Sequence, residues 1–132
     1  MKGQISVEYL TLTSILLLVV GLMFAFALVS VNENAKFNKA YYTTREMVNA
    51  ADEVSTRNGS TIVVEVELPS EVTEFSTFGN EVNIKLGSVL SSFDVYDLSK
   101  ASLEPTNFDT SEGTHFIAIK STDTNVTFTE LN

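Results

Sequence analysis

The chain has 132 residues, 44% of them hydrophobic, and a formal net charge of −9. That is apolar material for one modest domain and one membrane-length helix, and too little for two globular cores. The absence of cysteine excludes disulfides, thiolate nucleophiles and thiolate metal sites, and twelve acidic against four basic side chains over residues 57–132 argue against a nucleic-acid partner.

Met1-Lys2-Gly3 is a short basic head. Behind it, Gln4-Ile5-Ser6-Val7-Glu8-Tyr9-Leu10 leads into a run from Tyr9 to Val31 with no ionisable side chain except the tyrosine phenol. At about 23 residues, or ~34 Å of α-helix, the run can cross a bilayer core with some tilt. Only Gly21 interrupts it and it holds no proline, so a continuous helix is predicted. Two processing schemes compete. An ordinary secretory signal cut within the run has an A-x-A pattern at Ala25-Phe26-Ala27, but Glu8 is foreign to a basic n-region and Tyr9–Phe24 is long for an h-region. The other scheme cuts between Gly3 and Gln4 and leaves the apolar helix attached.

The residues at this junction carry a specific resemblance. Gln4, Ser6, Glu8 and Leu12 fall on Q-x-S-x-E-x-x-x-L, directly behind Lys2-Gly3 and ahead of an uncharged run. The stretch resembles the class III signal peptide of archaeal type IV pilins. The resemblance implies that a prepilin peptidase cuts after Gly3, leaving Gln4 as the mature N-terminus, and that Glu8 pairs with the Gln4 amine of a neighbouring subunit during assembly. An amine and a carboxylate that both leave water are far less costly as a pair. Without that role, Glu8 is a hydrated residue at headgroup level, beside Tyr9 as an interfacial aromatic anchor.

Lys2 marks the cytoplasmic side, yet Lys36 and Lys39 follow the apolar run against the positive-inside tendency, so charge alone does not settle orientation. The acidic remainder and the resemblance both point to export.

Beyond Val31, Phe37, Ala40, Tyr41, Thr44, Met47, Val48, Ala51 and Val54 recur at three- and four-residue steps among charged residues, an amphipathic pattern with one buried stripe. One helix is predicted from Gln4 to Arg57, about 80 Å long, with Asn58-Gly59 as its stop. The chain therefore divides into a leader at 1–3, a transmembrane or filament-core helix at 4–32, an amphipathic continuation at 33–57 and a β-rich head at 58–132.

The head alternates with strand period. Ile62, Val64, Val66 and Leu68 oppose Thr61, Val63, Glu65 and Glu67 until Pro69, and Val82, Ile84 and Leu86 oppose Glu81, Asn83 and Lys85. Gly79-Asn80 joins the second run to a strand at 72–78. Weaker runs follow at 93–98, 115–120 and 126–131, with Glu104-Pro105-Thr106-Asn107 as a loop and 121–125 as a connection. The fold class is α+β, the helix packed on a small antiparallel sheet or sandwich of five or six strands.

Asn58-Gly59-Ser60 and Asn125-Val126-Thr127 are N-glycosylation sequons. His115 opens a strand as a surface or half-buried structural residue, and the carboxylates are scattered, so no enzyme, cofactor or metal site is expected. The expected protein is a filament subunit, with related subunits, the prepilin peptidase and the membrane as partners, an extracellular destination and adhesion as its use. The alternative is a membrane-anchored surface binding module that never polymerises. The first prediction follows: N-terminal sequencing of the mature chain reads Gln4, whereas a chain starting at Leu28 would mark an ordinary secreted domain.

Overall fold

The computed structural model describes residues 2–88 and 91–131. Met1 of the expected leader, Val89, Leu90 and Asn132 lie outside them. The fold is α+β: one long helix, α1 (Lys2–Ser55), precedes seven strands, β1 (Thr61–Leu68), β2 (Val72–Phe78), β3 (Glu81–Leu86), β4 (Phe93–Leu98), β5 (Thr106–Asn107), β6 (Gly113–Ser121) and β7 (Val126–Leu131).

The helix begins inside the expected leader and stops two residues short of Arg57. Its end tightens, with Thr56 N donating to Glu53 O at 3.3 Å and Arg57 N to Val54 O at 3.0 Å. The Ser55 and Thr56 hydroxyls turn back onto the carbonyls of Asp52 and Glu53. Carbonyls left open at a helix terminus are thus satisfied locally before Gly59, at φ 80°, reverses the chain.

By its contacts the chain forms two units, Met1–Asn34 and Ala35–Asn132. In the first, every large apolar side chain from Ile5 to Val31 is exposed, the least of them Val29 at 41%. In the second, residues of α1 from Ala40 onward join both sheets in one core. Ala40, Thr44, Met47, Val48, Ala51 and Val54 of the expected stripe are buried, and Thr43 and Ala50 join them. Phe37 and Tyr41, expected in that stripe, remain 42% and 36% exposed: Phe37 precedes the buried face, which begins at Ala40, and the Tyr41 hydroxyl accepts from Arg45 Nη1 at 2.7 Å.

The strands divide between a three-stranded sheet, β1-β6-β7, and a four-stranded sheet, β4-β3-β2-β5. All pairings between these strands are antiparallel. The predicted alternation holds, with Val64, Val66, Leu68, Val82, Ile84 and Leu86 buried. Phe78 pairs with Glu81 across Gly79-Asn80, and Gly79 at φ 65° supplies the left-handed first position of that two-residue turn. Residues Thr106 and Asn107, expected as loop, instead bridge to Thr77 and Ser76 as β5.

The segment before β5 ties the two sheets together. Leu103 N donates to Gly79 O at 2.6 Å, while Val126 N donates to Ser102 O at 2.9 Å and Glu104 N to Val126 O at 2.8 Å. Phe108 packs on Phe75 of one sheet and on Phe128 of the other, at centroid separations of 4.5 and 5.9 Å. At about 1.5–3 kcal/mol per buried large apolar side chain, this shared core is the main source of stability in the second unit.

Asp52 has a separate task. A carboxylate in the last turn of a helix opposes the macrodipole, yet its Oδ1 accepts from Ser99 Oγ at 2.6 Å and from Lys100 N at 2.8 Å. It holds the loop after β4 against the helix end. Replacing it (Asp52→Ala) strands a buried Ser99 hydroxyl, and a loss of about 1–3 kcal/mol in thermal or denaturant unfolding is expected. A change within ~0.5 kcal/mol, the range of an ordinary surface substitution, would show that the contact is incidental.

Candidate functional surface and the His115 cluster

The apolar surface of residues 5–31 is the most unusual feature of the molecule. Three of the hydroxyls within it fold back: Thr11 Oγ1 donates to Val7 O, Thr13 Oγ1 to Tyr9 O and Ser14 Oγ to Leu10 O, each at 2.8 Å. Such internal bonds satisfy those three donors without water, which suits a helix meeting lipid or other helices. Gly21 has open space where a Cβ would stand, and Ala25 lies one turn further on, so another backbone can approach closely there. By length and composition the helix can cross a membrane.

Gly3 and Gln4 lie in the first turn of α1, where amide groups lack intrahelical partners and local opening costs least. Glu8 is exposed, and among the described residues it has no hydrogen-bond or ion-pair partner. Lys36 and Lys39, which confused the orientation, belong to the second unit. They pair with Glu71 at 2.7 Å and Glu67 at 2.8 Å, so their position reflects packing of that unit.

The two sequons converge at one end of the second unit. Asn58 is exposed in the turn after α1 and donates from Nδ2 to Asp123, which lies in the same β6–β7 loop as Asn125. Asn125 is half-buried, its Oδ1 accepting from Thr122 Oγ1 at 2.8 Å.

His115 differs from its expected setting. It is 8% exposed, with Nδ1 2.7 Å from Glu130 Oε1 and Nε2 2.8 Å from the Ser111 carbonyl. Both partners are acceptors, so both contacts are satisfied only when both ring nitrogens carry protons. Glu130 Oε2 also accepts from Asp109 N at 3.0 Å, and Asp109 accepts from the Ser111 amide and hydroxyl. The cluster pins the loop between β5 and β6 to β7. Oxygen and nitrogen atoms of Asp109, His115 and Glu130 lie within 4.8 Å of one another, a donor set able to hold a divalent cation. Sequence spacing hid the group, because residues 109, 115 and 130 meet only through the pairing of β6 with β7.

Burial alone would lower the His115 pKa, but the Glu130 hydrogen bond, the Ser111 carbonyl and the charges of Glu130 and Asp109 outweigh it, and the net shift is upward. Ser111 lowers the pKa of Asp109 through side-chain and backbone hydrogen bonds.

No protein-family model, curated protein or solved structure matches this chain.

A histidine whose pKa is higher in the folded state stabilises that state below the ordinary imidazole value, and its contribution fades as pH rises through the folded value. The melting temperature should therefore fall as pH rises above about 6.5. His115→Gln should flatten that decline, and an unchanged decline in the variant would place its source elsewhere.

Proposed function

We propose that the chain is a structural subunit of an archaeal type IV pilus-like surface filament. It enters the membrane as a single-pass protein, is cut between Gly3 and Gln4 by a prepilin peptidase, and polymerises through residues 4–31 of α1. The observation that carries the reading is the uncovered apolar surface from Ile5 to Val31, with Gln4, Ser6, Glu8 and Leu12 in the pilin pattern at its start.

Left in water, those side chains would each forgo about 1.5–3 kcal/mol, a sum well beyond the ~5–15 kcal/mol that stabilises a typical domain. Two environments remove the penalty: lipid, which stores the subunit, and the same helix of other subunits, which forms the filament. Lipid and leucine are similarly apolar, so the exchange needs close packing at sites such as Gly21 and Ala25 together with external work. Once the bundle leaves the membrane, water holds it closed. The β-rich unit then forms the outer face, with adhesion as its use and glycans on Asn58 and Asn125 shielding one end.

Glu8→Gln separates the steps. A neutral amide is easier to keep near lipid than a carboxylate, so processing and insertion should persist. The Gln4 amine of the neighbour then loses its charged partner at a cost of roughly 3–5 kcal/mol if buried. In cells lacking the wild-type copy, processed subunit should accumulate in the membrane while sheared filaments become scarce. Undiminished filaments would show that Glu8 is a hydrated interfacial residue. A wild-type chain that is processed but never polymerises would instead identify a membrane-anchored binding module.

A further inference from the structure

Strand β1 is a free edge. In the sheet order β1-β6-β7 it has a neighbour on one side only. Ser121 N donates to Ser60 O at 3.0 Å, and this fixes which residues face β6. With the register Thr61 to Lys120 through Leu68 to Gly113, residues 62, 64, 66 and 68 bond to β6. The amides and carbonyls of Thr61, Val63, Glu65 and Glu67 point the other way. Of these, the Glu67 carbonyl is taken by Thr43 Oγ1 at 3.2 Å. Among the described residues, the main-chain groups of Val63 and Glu65 meet no further strand.

Beside that edge lies an open groove of about 670 Å³, lined by Lys39, Tyr42 and Glu46 of α1 and by Val63, Glu65 and Glu67 of β1, among others. Tyr42 and Val63 are 68% and 54% exposed, so the groove offers apolar surface as well as unpaired main chain. Its charge is unbalanced. Lys39 is committed to Glu67 at 2.8 Å, and Glu46 and Glu65 have no ion-pair partner among the described residues.

The charge selects the occupant. Strands β4 and β7 are the other long free edges, and neither they nor β1 carry a lysine or arginine, while Glu65, Glu67, Asp94, Asp97 and Glu130 lie on them. Pairing two copies edge to edge would set carboxylate against carboxylate, which is destabilising across strands. An extended segment with basic side chains on one face and apolar ones on the other meets Glu65 and Glu67 with the first and Ile62 and Tyr42 with the second. We propose that the free edge of β1 and its groove take such a segment from a different protein as an added strand. Main-chain bonds to Val63 and Glu65 supply affinity and the carboxylates supply selection. The site belongs wholly to the second unit and does not depend on the filament reading.

The test uses the full chain in detergent micelles with a synthetic peptide, Thr-Lys-Val-Lys-Val-Lys-Thr, and amide hydrogen exchange read by NMR. Exchange at Val63 and Glu65 should slow by about tenfold or more on saturation. A peptide with glutamate in place of lysine, or with alternate amides N-methylated, should give no slowing. Glu65→Lys, a surface change that leaves the melt intact, should weaken the lysine peptide by about tenfold. The inference is overturned if the lysine peptide leaves both amides unchanged or if the N-methylated peptide binds equally well. It is also overturned if Val63 and Glu65 become protected with rising protein concentration alone, since the occupant would then be a second copy.

Discussion

Everything about this molecule depends on an unmet need for cover. From Ile5 to Val31 the helix presents aliphatic and aromatic side chains on all sides, with the hydroxyls of Thr11, Thr13 and Ser14 folded back onto its own carbonyls and no ionised side chain beyond Glu8. A helix that is apolar all round has no solvent-facing side, in contrast to the striped helices that dock onto a sheet. Its large apolar side chains are all exposed. The surrounding medium or other chains must cover them, and the pattern at Gln4, Ser6, Glu8 and Leu12 is what turns that physical need into a proposal about filaments.

The second unit solves the opposite problem within itself. From Ala40 onward α1 is striped, and one buried core joins its stripe to the inner faces of two small sheets. Neither a three-stranded nor a four-stranded sheet buries much alone. Their union rests on Leu103, whose segment bonds to the turn of one sheet and the last strand of the other, and on Phe108, which packs on both. Asp52 and the His115 cluster add polar ties to the loops after β4 and before β6.

Local pattern made much of this legible. The alternation around Ile62–Leu68 and Val82–Leu86 specified strands and their buried faces, because a one-residue slip would have reversed every side chain. Glycine and asparagine at 79–80 specified a hairpin, and the three- and four-residue spacing from Ala40 to Val54 specified the stripe. What could not be read was long-range. Strand β1 pairs with β6 across more than forty intervening residues, and no turn chemistry announces that partner. Strand β5 has two residues, too few for any period. Phe37 and Tyr41 keep helical spacing although the core starts after Phe37 and leaves Tyr41 partly open. The His115 cluster escaped for the same reason as the sheet division, since its members come from two strands and a loop.

Two kinds of surface thus coexist in one chain. One is purely apolar, which suits cover by many equivalent neighbours or by lipid; the other, along β1, combines free main chain with unpaired carboxylates and selects a partner by charge. The most direct measurement of the central claim is electron cryo-microscopy of filaments sheared from cells that produce this chain. The account predicts helices 4–31 gathered at the filament axis, each in contact with the same segment of its neighbours, with Glu8 beside a neighbouring Gln4 amine. Filaments in which this helix faces solvent or lies apart from its copies would contradict it.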